Sequence, residues 1–124
     1  MQVLYKNIKL KRICTDSKEA TKYFGGDKKM AESLFARIHS FYLANVIYDI
    51  IIQPQMRFHR LINKGKNKNL DGFFAIDVKT PKDKWRIIIE PLDDNKNPFV
   101  PCNIDEISKI VRIIEIKEVS NHYE

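Results

Sequence analysis

Bulky apolar residues recurring at every second position dominate the middle of the second half of the chain. Phe74, Ile76 and Val78 alternate with Phe73, Ala75 and Asp77; after a break at residues 79–84, Trp85, Ile87 and Ile89 alternate with Arg86, Ile88 and Glu90. A period of two sends successive side chains to opposite faces of a strand, so residues 73–91 read as two antiparallel strands joined by a basic turn. One register unites the bulky sets, with Val78 opposite Trp85, Ile76 opposite Ile87 and Phe74 opposite Ile89. A slip of one residue would turn one strand's apolar face to water. The same register sets Arg86 beside Asp77 on the other face. A mid-strand arginine needs a carboxylate partner or an anion from outside, and both stay open here: an ion pair to Asp77 or Glu90, or a bound ligand.

The first half carries the other period. Val3, Leu4 and Tyr5 suit a short strand, and Asn7 is placed to cap a helix with Leu10, Ile13 and Cys14 on one side. Asp16 and Ser17, followed by Glu19, open a second helical piece carrying Ala20, Tyr23 and Phe24, which Gly25 and Gly26 stop. From residue 27 to about 45, Leu34, Phe35, Ile38, Phe41 and Tyr42 recur at three and four, opposite Lys28, Lys29, Glu32, Arg37 and Ser40. This spacing predicts a long helix lying on a sheet. His39 falls on its flank with nothing nearby to partner it, a surface position.

An apolar stretch at 46–52 and a short alternating run at 56–61 follow. Residues 63–69 contain nothing to bury and read as an exposed loop. Residues 93–105, with Pro98 and Pro101, form a long excursion that is either mobile or folded against something. After a helical turn at 105–108, residues 109–119 form a last strand with apolar residues on both faces, as in the middle of a sheet. Helices first and strands afterwards predict an α+β fold, a mostly antiparallel sheet with the N-terminal helices on one face and the other face left for a ligand.

At 124 residues the chain suits a single domain, 1–124, with a core that needs no staples. The formal charge is +6, from 22 Lys and Arg against 16 Asp and Glu. The excess is local: residues 57–90 hold nine basic residues (Arg57, Arg60, Lys64, Lys66, Lys68, Lys79, Lys82, Lys84, Arg86) against four acidic ones. Clustered positive charge implies a polyanionic partner, nucleic acid or an acidic protein. Cys14 and Cys102 are far apart and lack metal-ligand spacing, so reduced thiols, no zinc site and no cofactor are expected. The longest apolar runs are short, and Lys6, Lys9 and Lys11 stand where a signal peptide would need its apolar region, so no membrane association and a cytoplasmic location are expected.

The order and spacing of several short segments carry a resemblance. The opening YKNIKLKRICTD, the helical part after it, RFHRL before a Gly/Lys loop, GFFAIDV, KWRIIIEP and the closing RIIEIKEVSNHYE resemble the RelE/ParE toxin superfamily. The likeness is nearest to its HigB-like, plasmid maintenance killer branch of type II toxin–antitoxin systems, and it covers nearly the whole chain. It implies a small curved sheet with helices on one side and an RNA-binding face on the other. The activity it implies is ribosome-dependent cleavage of messenger RNA that inhibits translation, and the implied partner is an antitoxin of the helix-turn-helix, HigA kind.

Carried over by position, His59 matches the histidine before the loop, Arg86 the arginine of the WRI strand, and His122 and Tyr123 the closing pair. The 62–71 loop is longer than usual in the family and offers lysines only, and the closing order is His-Tyr rather than Tyr-His. Which of His122 and Tyr123 faces the site therefore stays open.

The chemistry is consistent with those residue types. Metal-free RNA cleavage uses the 2′-hydroxyl as nucleophile and needs a base, an acid and fixed positive charge at the phosphorus. His59 and His122 suit either proton role. Arg86 suits a phosphate clamp, and Tyr123 a hydrogen bond or a base stack. Arg57, Arg60, Lys64, Lys66, Lys68 and Lys84 suit backbone contacts, which give affinity rather than sequence choice. Two other readings remain: a toxin of the same fold that inhibits DNA gyrase, and a non-catalytic basic module binding nucleic acid or an acidic protein.

Overall fold

The computed structural model describes residues 1–61 and 70–122. Strand β1 (Gln2–Tyr5) is followed by α1 (Ile8–Thr15), α2 (Ser17–Tyr23) and α3 (Lys28–Leu43), each opened by the side chain the sequence offers. Asn7 accepts from the Leu10 N–H, Asp16 from Lys18 and Glu19, and Asp27 from Met30. These oxygens satisfy donors that the first turn leaves unpaired. Gly25 and Gly26 take positive φ after α2, as its stop requires.

Beyond α3 the chain makes a short helix α4 (Tyr48–Ile51) and a 3-10 turn at Pro54–Met56, then β2 (His59–Arg60), β3 (Phe74–Asp77), β4 (Arg86–Leu92), α5 (Ile104–Ile107) and β5 (Ile113–Ser120). The strands form one curved, mixed sheet in the order β1-β5-β4-β3-β2. β1 runs parallel to β5, and the other pairs are antiparallel. β5 thus lies inside the sheet, where a strand apolar on both faces belongs. β3 and β4 adopt the anticipated register, Phe74 opposite Ile89, Ile76 opposite Ile87 and Asp77 opposite Arg86. The Val78 N–H reaches the Trp85 carbonyl.

The fold is α+β. One sheet face, carrying Phe74, Ile76, Val78, Ile87, Ile89, Ile114, Ile116 and Val119, packs with Leu34, Ile38 and Phe41 of α3 and with α1 in the main core. The excursion after β4 is folded rather than loose, since Phe99, Cys102 and Ile104 pack on that same core. The opposite face carries a smaller apolar cluster, Leu61, Ala75 and Ile88 with Leu70 and Phe73. At the hairpin end, Trp85 meets the rings of Phe24 at 4.9 Å and Tyr23 at 5.7 Å, tying α2 to the start of β4. No described helix is long and apolar enough to cross a membrane.

The two thiols differ enough to be told apart in solution. Cys14 is 2% exposed, and burial pushes its thiol up to about 12. Cys102 is half-buried, and its upward shift, also from burial, is opposed by the charge of Arg60. Because the thiolate is the reactive form, alkylation of the native protein at mildly alkaline pH should modify Cys102 well ahead of Cys14. Mass spectrometry of the labelled peptides gives the order, and equal rates would contradict the packing of α1.

Candidate functional site

On the sheet face away from the helices, four polar side chains lie level across four successive chain segments. Asp77 on β3 is opposite Arg86 on β4, which is opposite Ser120 on β5. His59 is opposite Ala75, so Arg57, two residues earlier, comes level with Asp77 just before β2 begins. Arg57 adopts a left-handed conformation (φ 43°) at the end of the 3-10 turn, which redirects the chain into β2. Its ring neighbour Phe58 lies on the other face, stacked on Phe74 at 4.8 Å, and this leaves Arg57 and His59 on the open face together.

The Asp77 carboxylate is the hub. It is 1% exposed, and its two oxygens accept from Arg57 Nε at 3.0 and 2.8 Å. Arg86 Nε lies 3.2 Å from Asp77 Oδ1, an ion pair by distance, but its N–H is not aligned with any acceptor. The rest of the Arg86 guanidinium turns under the hairpin: Nη1 donates to the carbonyls of Trp85 at 2.8 Å and Thr80 at 3.4 Å, and Nη2 to that of Pro81 at 2.9 Å. Arg86 is 3% exposed. A third arginine, Arg37 from α3, donates through Nε to the Asp77 carbonyl at 2.9 Å and through Nη2 to that of Gln55 at 3.1 Å. Burial pulls its pKa down, against the pull of the Asp77 charge.

Two guanidinium groups thus meet the Asp77 carboxylate and a third its main-chain carbonyl, and the region stays positive. Arg86 is covered and Arg37 is half-buried with Nε and Nη2 engaged, whereas the Arg57 side chain is 40% exposed and both its Nη groups are without a hydrogen bond among the described residues.

His59 is half-buried beside it. Its Nδ1 lies 2.7 Å from the Arg57 carbonyl oxygen. A carbonyl only accepts, so the proton of this contact is on Nδ1. His122 is exposed, two residues past the end of β5, with its backbone N–H on Ser120 Oγ at 3.1 Å.

The arrangement revises several expectations about the site. Arg86 does not present a phosphate clamp, because its guanidinium is buried and engaged by Asp77 and the hairpin carbonyls; the ion pair left open above is the one that forms. His59 and His122 do not converge on one site either. β2 and β5 are three strand spacings apart, about 14 Å, and His122 lies further toward the hairpin end. Arg60 is opposite Phe74, so it projects on the helix-side face, away from His59. Lys84 is exposed on the hairpin turn, beside Lys79 and Lys82, which had not been singled out. Lys64, Lys66, Lys68 and Tyr123 lie outside the described residues. Neither Arg37 nor Ser120 gave a sequence signal, since the place of Ser120 follows from strand order and that of Arg37 from how α3 lies on the sheet.

A cavity of about 340 Å³, lined by residues including Phe99, Ile110 and Arg112, sits at the far end of β4 and touches none of these groups. Among the described residues no group of three or more His, Cys, Asp or Glu side chains is placed to hold a metal ion.

Fold and site together define a small α+β protein with a positively charged, arginine-centred polar row on an open sheet face. No family model matches the chain, and neither a curated protein nor a solved structure matches it.

Proposed function

We propose that the chain is a toxin of the RelE/HigB-like kind, a metal-independent endonuclease of messenger RNA that inhibits translation on the ribosome. The observation that carries this reading is His59, with its Nδ1 proton set on the Arg57 carbonyl, on the same open face as the exposed Arg57 guanidinium. A base and a fixed cation in reach of one phosphodiester are the parts that 2′-hydroxyl attack requires. The His59 imidazole takes the 2′-hydroxyl proton, O2′ attacks phosphorus in line, and O5′ leaves with a proton from water. Arg57 offsets the charge that builds on the non-bridging oxygens. His122 has no part in this step. Lys79, Lys82 and Lys84 on the exposed turn follow the sugar-phosphate backbone. The site would act in the cytoplasm, and a helix-turn-helix antitoxin with an acidic surface would neutralise it.

The test is induction in growing bacteria with transcript mapping. The wild-type chain should arrest growth and leave cut messages. His59→Ala should lower cleavage by about 10²–10⁴-fold, the usual contribution of a general base, at an unchanged melting temperature. Cleavage that survives His59→Ala removes the nuclease reading. The separation of the two histidines favours one other reading, a basic RNA-binding module without catalysis. Under it no transcript is cut, and His59→Ala matters no more than loss of one lysine.

A further inference from the structure

We infer that Arg57 is the guanidinium that contacts RNA phosphate on the open face, and that Asp77 and Arg86 are positioning residues that hold it there. The inference rests on the reading of this face as RNA-binding, and it does not depend on cleavage.

The geometry separates the two arginines by role. Both reach the same carboxylate, but Arg86 is 3% exposed and its Nη groups are committed to the carbonyls of Thr80, Trp85 and Pro81. A phosphate could reach it only by unpacking the hairpin. Arg57 gives its Nε to both oxygens of Asp77, which fixes the plane of the guanidinium. The two Nη groups, which can give a two-pronged contact with phosphate oxygens, make no hydrogen bond to the carboxylate.

A carboxylate beside a phosphate site opposes the incoming charge, so its presence needs a reason. Here Asp77 lies 1% exposed beneath Arg57, with Arg86 beside it to offset its charge. Arg57 needs such an anchor more than most arginines. It stands at φ 43°, before a strand of only two residues, and no β-ladder holds it.

The orientation makes a prediction with an unusual sign. Asp77→Asn raises the net charge by one and keeps the side chain's shape. If the face binds RNA only through its summed charge, this variant binds more tightly and with a steeper salt dependence. If Asp77 positions Arg57, it binds more weakly although it is more positive.

The experiment titrates a short, fluorescently labelled single-stranded RNA into the purified full chain over a range of salt concentrations. Arg57→Gln, Asp77→Asn and Arg57→Lys are compared, each with its melting curve. Arg57→Gln should weaken binding by about tenfold and lower the salt slope by about 0.7, the share of one phosphate contact on a single strand. Asp77→Asn should weaken it by a similar factor. Arg57→Lys should keep most of the salt slope but lose affinity, since an ammonium lacks the planar fork that bonds Asp77 through one nitrogen and offers two more to phosphate. Arg57→Gln, at a partly exposed position, keeps the test valid if Asp77→Asn folds poorly.

Unchanged affinity in Arg57→Gln overturns the inference, as does tighter binding in a folded Asp77→Asn or the absence of RNA binding by the wild-type chain. If the expected pattern holds and no RNA is ever cut, the nuclease reading fails and this inference stands. If RNA is cut and Arg57→Gln neither binds nor cuts less, this inference fails, and the nuclease reading keeps His59 but loses Arg57 as its cation.

Discussion

Asp77→Ala should destabilise the folded chain by about 3–5 kcal/mol, the range for breaking a buried ion pair from one side. The carboxylate is 1% exposed and the Arg86 it faces is 3% exposed. Without it, Arg86 is left as a buried cation whose nearest remaining carboxylate oxygen, Asp83 Oδ1, is 3.9 Å away. Arg57, being partly exposed, moves into water at little cost.

Arg86→Ala should cost less, about 1–3 kcal/mol. Asp77 keeps both bonds from Arg57, and the Thr80 and Pro81 carbonyls that lose a donor belong to exposed residues that water can reach. The two changes should not add, because the groups share a partner. Replacing the pair with apolar residues, Asp77→Leu with Arg86→Met, should recover part of the loss, since neither buried charge then remains. Urea unfolding followed by circular dichroism gives the comparison: Asp77→Ala should move the midpoint down by roughly 2 M at a similar slope. A shift smaller than that of Arg86→Ala would mean that Asp77 is not the hub of the row.

The sequence carried this ion pair because a β-hairpin is a local object. Once alternation had fixed which residues face the core, only one register of β3 on β4 was allowed, and that register put Asp77 against Arg86. The caps at Asn7 and Asp16 were legible for the same reason, each depending on residues within one turn.

What could not be read was non-local or too short to show a period. The parallel pairing of β1 with β5 joins the two ends of the chain, and no periodicity names a strand's neighbour. The order β1-β5-β4-β3-β2 puts His59 at one side of the row and His122 beyond its other side; spacing along the chain says nothing about this. β2 pairs through only two residues, His59 and Arg60. The left-handed turn at Arg57 that sets them is not one that arginine favours. The hairpin connection conceals a 3-10 turn at Pro81–Asp83, closed by reciprocal bonds between Thr80 and Asp83. That turn supplies the carbonyls that bury Arg86. The residue types of the site were therefore visible, while the exchange of roles between Arg86 and Arg57 depended on which of the two was covered.

Phe74→Ala should cost a comparable 3–5 kcal/mol for a different reason, a cavity between the sheet and α3 that the rigid surroundings cannot close. Phe74 is 1% exposed, opposite Ile89, and its ring is stacked with Phe58 at 4.8 Å. Phe58→Ala removes the other ring of that stack from a half-buried edge position and should cost only about 1–3 kcal/mol, from partial burial and the ring contact. Its effect on the site should nevertheless be the larger of the two at a temperature where both variants are folded. Phe58 lies between Arg57 and His59 in the chain, and β2 is too short for backbone pairing alone to fix them. The Phe58–Phe74 stack is therefore the apolar hold on the segment carrying both site residues, beside the Asp77 bond to Arg57. Folded Phe74→Ala keeps the Phe58 ring with the rest of the core to pack on; folded Phe58→Ala leaves the segment without that hold. RNA affinity, corrected for the fraction folded from the same melting curves, should fall further in Phe58→Ala than in Phe74→Ala, and Phe58→Leu should restore much of it. Equal losses after that correction would show that β2 is held by its ladder and not by the ring.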